Sequence, residues 1–441
     1  MADREQAVSK KDWYQLDLSA IVYPTLQRKD YSSVYRLSVL LKEDVDPKLL
    51  QKAVDMTMPR FPTYKVAIRK GVFWRYLEPN NRPGPFVRPD VKNPCQPMSF
   101  KESNRYLIRF YYYRNRISLE AHHSLGDGTG GMCVLQTVTA VYLRLKGYAV
   151  EWGPHVKNSG FILDINSQPS PQEMEDAYMK YANAKVCPPR PGEKTYRVRG
   201  TKEFFYTLNI IDGIMSSSQV MQVAKRYHAT VTEYLNAVLL YALLKKQESE
   251  WHLRLKPVKI AMPVNLRRFF PSGTLRNFIT MIYPGVDPRL GEYTFEEIVK
   301  HVHNYMQYYL DEKFLRGEIT TNAATQRNPL IRIVPLFMKD YVVRQFYTKV
   351  QDHNSSAGLT NMGVMKVPDS MKPHIERFDI YMGQPFSSRT NCAVISYEDV
   401  LTVNFASSIV ETDVERYFFR KLVKDGIHVT IESNREINME N

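Results

Sequence analysis

The chain has 441 residues, 44% hydrophobic and 24% charged, which suits a soluble globular protein of about two domains and excludes a fibrous or disordered chain. Sixty Lys and Arg against 46 Asp and Glu give a formal charge of +14, an excess that suits an anionic partner: nucleic acid, an acidic carrier protein or a phosphorylated cofactor. The basic residues gather into no tail or block, and neither zinc-finger spacing nor an RNA-binding sheet signature occurs, so nucleic acid is set aside.

Met1–Trp13 is polar and lacks the apolar core of a signal peptide, and no apolar run reaches the length of a bilayer span. A cytoplasmic monomer without a transmembrane segment is the expectation. The cysteines (Cys95, Cys133, Cys187 and Cys392) are scattered, with no C-x-x-C pair. They predict reduced, mostly buried thiols, and neither a disulfide framework nor a structural zinc site.

In chain order, Tyr35, Leu37, Val39 and Leu41 alternate with Arg36, Ser38 and Leu40, which predicts a half-buried strand. A helix follows from Asp46 as N-cap and Pro47 at the first helical position, stopping before Pro59. Thr63–Leu77 and Arg105–Ala121 are rich in Val, Ile, Tyr and Phe and predict further strands. Between Gly147 and Lys202 the periodicity fades, and Cys-Pro-Pro-Arg-Pro-Gly at 187–192 marks a linker. Three units result: residues 1–186, a linker at 187–203, and residues 204–441.

The second half is predicted to open with an apolar strand, Phe204–Ile211, and two helices, from about Ser218 and from Thr230. Val238–Leu244 is apolar nearly all round, so that second helix is central. Thr-x-x-Glu spacing at Thr230–Glu233, Thr294–Glu297 and Thr412–Glu415 predicts three capping boxes. Strands are expected at Val258–Pro263, Phe278–Tyr283, Ile375–Met382, Cys392–Tyr397 and Leu401–Ser407. The fold class is therefore α/β, with mixed sheets in both halves.

The segment that carries chemistry is Ile117–Leu145, which reads as strand, glycine-rich turn and helix. Ile117, Leu119 and Ala121 share one strand face, Ser118 and Glu120 the other. Continued to position 123, this alternation aims His123 inward on the apolar face and His122 outward on the polar one. Gly126, Gly128, Gly130 and Gly131 permit backbone angles or close approaches denied to other residues. Leu135, Val138, Tyr142 and Leu145 give the helix an apolar stripe that packs on a sheet. The free N–H groups at its start favour an uncharged imidazole beside them, as a general base needs near neutral pH. Asp127 either orients His123, as in a Ser-His-Asp triad, or turns away to pair with an arginine. A shared metal ion does not suit His122 and His123, because adjacent strand residues point to opposite faces.

His122-His123-Ser124-Leu125-Gly126-Asp127-Gly128 resembles the H-H-x-x-x-D-G motif of the coenzyme A-dependent acyltransferase superfamily. That superfamily includes chloramphenicol acetyltransferase, condensation domains and alcohol acetyltransferases. The resemblance implies two chloramphenicol acetyltransferase-like subdomains in a V with an active-site tunnel between them. It implies His123 as general base with His122 in support, and Asp127, followed by Gly128, locking the loop. The arginine paired with Asp127 would be Arg267, with Arg268 as second choice, after the strand of "KIAMPVNLRR". "RNFITMIYP" (276–284) resembles the Asn-Phe segment of the family, and "GLTNMG" (358–363) its late Asn-x-Gly segment, where Thr360 or Asn361 would steady an oxyanion. Asp379–Gly383 only echoes the D-F-G-W-G signature of plant members, lacking its first glycine and tryptophan. The implied activity moves an acyl group from a thioester, acyl-CoA or an acyl carrier protein, to a small-molecule hydroxyl or amine, with no resident cofactor or metal. A non-catalytic binding protein of the same fold is the alternative from another class.

Overall fold

A computed structural model of the chain describes residues 13–27, 31–183, 193–204, 207–250, 254–349, 354–383 and 389–435. Its first half runs β1 (Tyr14–Gln15), α1 (Val22–Leu26), β2 (Val34–Leu41), α2 (Pro47–Thr57), β3 (Val66–Lys70), β4 (Arg75–Pro79), β5 (Val87–Pro89), β6 (Ile108–Tyr113), β7 (Arg116–His122), α3 (Gly128–Leu145) and α4 (Ala177–Tyr181). After it come β8 (Asn209–Ser216), α5 (Ser217–Arg226), α6 (Val231–Ser249), β9 (Val258–Asn265), β10 (Ile279–Ile282), β11 (Gly285–Val286), α7 (Phe295–Tyr309), α8 (Glu312–Arg327), α9 (Pro329–Arg332) and α10 (Leu336–Lys349). The chain closes with β12 (Ala357–Met365), β13 (Ile375–Met382), β14 (Thr390–Tyr397), β15 (Val400–Ser407), α11 (Asp413–Lys424) and β16 (Thr430–Ser433).

Two large mixed sheets organise these elements. The first has the order β13-β2-β7-β6-β5, and the second β10-β9-β12-β14-β15-β8-β16, with β11 also on β9. A small sheet, β1-β4-β3, stands apart. β13 comes late in the chain yet pairs antiparallel with β2, Ile380 opposite Leu37, so the first sheet is completed by a strand from beyond residue 203.

Each sheet buries one face under helices. Leu37, Val39, Ile117 and Leu119 share a core with Leu50 and Val54 of α2 and Leu135 and Val138 of α3. In the second sheet Ile260, Leu359, Val394 and Val403 pack with α6, α7 and α11. The helices start where their caps dictate. The Asp46 side chain accepts from the Lys48 and Leu49 N–H groups, and capping boxes open α6 at Thr230 and α7 at Thr294.

Four expectations change. β2 is buried along its whole length, because the polar face is covered as well: Arg36 pairs with Glu120 and Asp90, and the Ser38 and Ser118 hydroxyls meet at 2.9 Å. α3 is buried from Gly130 to Leu143, on every side rather than along one stripe. The strand expected at Phe204–Ile211 begins at Asn209, and Phe204 is 89% exposed; hydrophobicity alone misplaced its start. Thr412 caps nothing, since Glu415 is buried and instead accepts from the Thr390 hydroxyl at 2.7 Å. Cys95, Cys133 and Cys392 are buried free thiols. Cys187 and the whole 187–192 linker motif lie outside the described residues.

These caps give a first test. Thr294→Ala is expected to lower unfolding stability by about 1 kcal/mol, whereas Thr412→Ala stays within about 0.5 kcal/mol of wild type in denaturant titrations.

Candidate functional site

β7 delivers the two histidines to the end of the first sheet. The backbone N–H of His122 donates to Leu107 O at 2.9 Å, and that of His123 donates to Ser33 O at 2.8 Å. The chain then turns through Gly126 and enters α3 with Asp127 as N-cap. None of the four glycines here has a positive φ; close approach is their reason. A Cβ at Gly130 would lie 2.0 Å from Leu275 O and 2.4 Å from the Tyr64 hydroxyl, and one at Gly131 2.6 Å from the Tyr35 hydroxyl. The turn is thus pressed against backbone from the second half of the chain.

Asp127 resolves the choice left open by spacing. Its Oδ1 accepts from the N–H groups of Thr129 (3.1 Å) and Gly130 (3.2 Å), capping α3. Its Oδ2 accepts from Arg267 Nη1 at 2.8 Å and from the Phe278 N–H at 2.9 Å. Four donors hold the carboxylate, and it makes no hydrogen bond to His123. The contact with Arg267 runs through one nitrogen and is not a bidentate fork. Nε and Nη2 of Arg267 are engaged by Thr274 O, and Nη2 also donates to Arg276 O at 2.6 Å. Asp127 is buried and Arg267 largely so, and the pair is strong only because every remaining lone pair and proton has a partner.

The Asn277-Phe278 dipeptide clamps the same turn. Asn277 Nδ2 donates to His123 O at 2.8 Å and to the fully buried Asp17 at 3.1 Å. Burial raises the Asp17 carboxyl above the usual range, although Arg276 beside it acts to lower it.

The His123 ring lies between two tyrosines, stacked on Tyr23 at 4.8 Å and tilted against Tyr35 at 4.6 Å. The ring is only partly covered. Nδ1 is sealed and unpartnered, whereas Nε2 is not among the sealed atoms. Burial lowers its pKa to about 4, with the Asp127 charge pulling weakly the other way, so the imidazole is uncharged near neutrality. His122 does not face outward. It is 0% exposed, because the segment around Phe100 covers the polar face of β7; the Phe100 ring meets it edge-on at 5.5 Å. Its Nδ1 accepts from the Ser124 N–H at 3.2 Å, and burial lowers its pKa to about 3.

Met362 brings the late segment to the turn: a Cβ at Gly128 would stand 2.7 Å from the Met362 sulfur. The two residues offered as oxyanion donors differ in what they have left to give. Asn361 already donates to the Thr232 hydroxyl at 2.9 Å and accepts from the Gly363 N–H at 2.8 Å. Thr360 is half-buried, and its hydroxyl holds no hydrogen bond among the described residues. Tyr23, Tyr35, Tyr64 and Asp17 were not singled out from the sequence. Tyr35 was legible in principle, being on the inward face of β2 opposite Ala121. Nothing local marks Tyr23, whose position depends on α1 folding back over the strand ends.

No family sequence model matches the chain, and no curated protein matches it by sequence. Solved structures do share its fold. TRI101 of F. sporotrichioides, complexed with coenzyme A and T-2, aligns over 95% of this chain and 100% of its own at 12% identity and TM-score 0.60. The TRI3 trichothecene 15-O-acetyltransferase of Fusarium sporotrichioides aligns over 93% and 94%, at 12% identity and TM-score 0.57. The starter condensation domain of rhizomide synthetase in complex with C8-CoA aligns over 95% and 98%, at 12% identity and TM-score 0.57. The chain has the mixed α/β, two-domain fold of the coenzyme A-dependent acyltransferases and condensation domains.

Two measurements probe this site. In a double-mutant cycle, Asp127→Ala and Arg267→Ala are each expected to be strongly destabilising, with the double variant less destabilised than their sum by about 1–3 kcal/mol; strict additivity would remove the pairing. The second concerns acid stability. The folded state keeps His122 unprotonated down to about pH 3, while the unfolded chain protonates it below about 6.5. Stability therefore falls as pH drops through that window, by about 2 kcal/mol between pH 6.5 and 5. Urea midpoints for His122→Asn, which keeps an acceptor for Ser124, are expected to show a shallower acid slope than wild type.

Proposed function

We propose that the chain is an acyltransferase that moves an acyl group from coenzyme A to a hydroxyl or amine, with His123 as general base. The observation that carries this reading is a partly accessible, uncharged imidazole whose neighbouring aspartate is fully occupied elsewhere. Nε2 of His123 accepts the acceptor's proton as its oxygen or nitrogen attacks the thioester carbonyl carbon. The tetrahedral intermediate then expels the thiolate with cleavage of the C–S bond, and the proton held by His123 passes to that sulfur. No covalent enzyme intermediate is required.

Each surrounding residue has a part in this reading. Asp127 and Arg267 fix the turn rather than polarise the ring. Asn277 fixes the carbonyl of His123, so the strand end cannot drift from the second half of the chain. Tyr23 and Tyr35 hold the ring plane, and Gly128 leaves room for Met362. His122 supports the turn through Ser124. Thr360, with a free hydroxyl, suits the developing oxyanion better than Asn361. The acyl thioester and the acceptor would reach His123 from opposite mouths of a tunnel between two lobes, residues 1–186 and 204–441, with β13 exchanged into the first. The positive charge of the chain favours the phosphates of coenzyme A.

Turnover of an acyl-CoA panel by His123→Ala tests the assignment. A loss of about a hundredfold or more with unchanged circular dichroism is expected, and equal rates would end it. The pH profile adds a second readout. Because the ring stays uncharged down to about pH 4, the free-enzyme kcat/KM of wild type is expected to show no acid limb from His123 between pH 6 and 8; a limb near the ordinary histidine value that His123→Ala abolishes would contradict the burial described above.

A further inference from the structure

α10 presents an apolar arc to solvent. Phe337, Met338, Tyr341, Val342 and Phe346 lie on one side of the helix at i, i+1, i+4, i+5 and i+9, and all are exposed, Phe337 at 74% and Tyr341 at 65%. Asp340 lies on the other side, Lys339 and Arg344 border the apolar arc, and all three make tertiary contacts. Asp340 takes Arg75 at 2.6 and 2.8 Å and the Thr25 hydroxyl at 2.9 Å, Lys339 donates to Phe73 O, and Arg344 Nε donates to Thr25 O at 2.8 Å. The β3–β4 turn extends the apolar face. Leu336 N–H donates to Val72 O at 2.9 Å, and Val72 and Trp74 of that turn are 72% and 50% exposed. Exposed single hydrophobics need no explanation, but a contiguous exposed apolar face does.

We propose that this face, α10 with the β3–β4 turn, docks on the surface of an anionic phospholipid bilayer. Charge selects that occupant. Residues 327–346 contain Arg327, Arg332, Lys339 and Arg344 against one acid, Asp340, which is already held by Arg75, and Lys70 adds an exposed cation beside the turn. Apolar side chains with Trp and Tyr among them, ringed by cations, match the headgroup boundary of an anionic membrane. A second copy of the chain would bring the same cations face to face. No helix among the described residues is long and apolar enough to cross a membrane, so the contact is peripheral. The face is also one helix from the imidazole: α1 supplies Thr25 to Asp340 and Tyr23 to His123.

The test needs no catalytic assay and so stands or falls apart from the acyltransferase reading. Full-length protein is sedimented with extruded vesicles of phosphatidylcholine, with and without phosphatidylglycerol. Binding to the phosphatidylglycerol vesicles is expected to exceed that to pure phosphatidylcholine by about tenfold or more and to weaken at high salt. The triple substitution Phe337→Glu, Tyr341→Glu, Phe346→Glu is expected to abolish it while leaving thermal unfolding close to wild type, since all three side chains are exposed. Failure of wild type to bind phosphatidylglycerol vesicles overturns the proposal even if the triple variant does not fold. So does binding that survives the triple substitution, or a dimer in light scattering that this substitution makes monomeric.

Discussion

A carboxylate without its own net charge to spare sits at the centre of this protein. Asp127 caps α3 with one oxygen and with the other takes Arg267 and the Phe278 N–H, so a single side chain fastens residues some 140 positions away in sequence to the turn that carries the histidines. A buried ion pair is costly to desolvate and strongly destabilising to break on one side. The surroundings meet that cost with three carbonyl contacts on Arg267 and two backbone donors on the cap. The geometry of the turn is therefore conditional on both halves of the chain being in place.

The same arrangement decides the state of His123. Were Asp127 hydrogen-bonded to the ring, its charge would favour the imidazolium. With the carboxylate saturated elsewhere, desolvation prevails and the ring is neutral. The sheet repeats this separation on its other face, where Arg36, Arg109 and Arg116 neutralise Glu120 and Asp90 within the interior. Burial lowers the His122 pKa most, and Arg109 also opposes its protonation. Charge is plentiful around the histidines, yet it is paired off before it reaches them.

How much of this could be read from residue order depends on range. Local chemistry was legible: the caps at Asp46, Thr230 and Thr294 and the strand periodicity of Ile117–Ala121 concern neighbours within a turn or two, whereas the four glycines announced close approaches without naming the distant Leu275, Tyr64 and Met362 that they meet. Arg267 and the Asn277-Phe278 pair were reachable only through resemblance, because no spacing rule links positions so far apart. Two of the errors share one cause. His122 was read as outward, and β2 as half-buried, because polar residues alternate along those strands. Alternation reports polarity, whereas burial depends on what lies above, and here a loop around Phe100 and a network of ion pairs lie above.

α10 shows the converse of that lesson. Its sequence mixes Lys, Asp and Arg with Phe, Tyr and Val, and a periodicity argument would bury the apolar arc. Instead Arg75 and Thr25 recruit Asp340, and the apolar arc is left facing away. The salt bridge and its hydroxyl partner fix which side of the helix can be presented, because rotating the apolar side inward would strand Arg75, which is almost wholly buried, without its carboxylate. Orientation of this helix is thus set by the same kind of paired buried charge that holds the histidine turn: in both places a carboxylate spent on an arginine inside the fold fixes which face is presented.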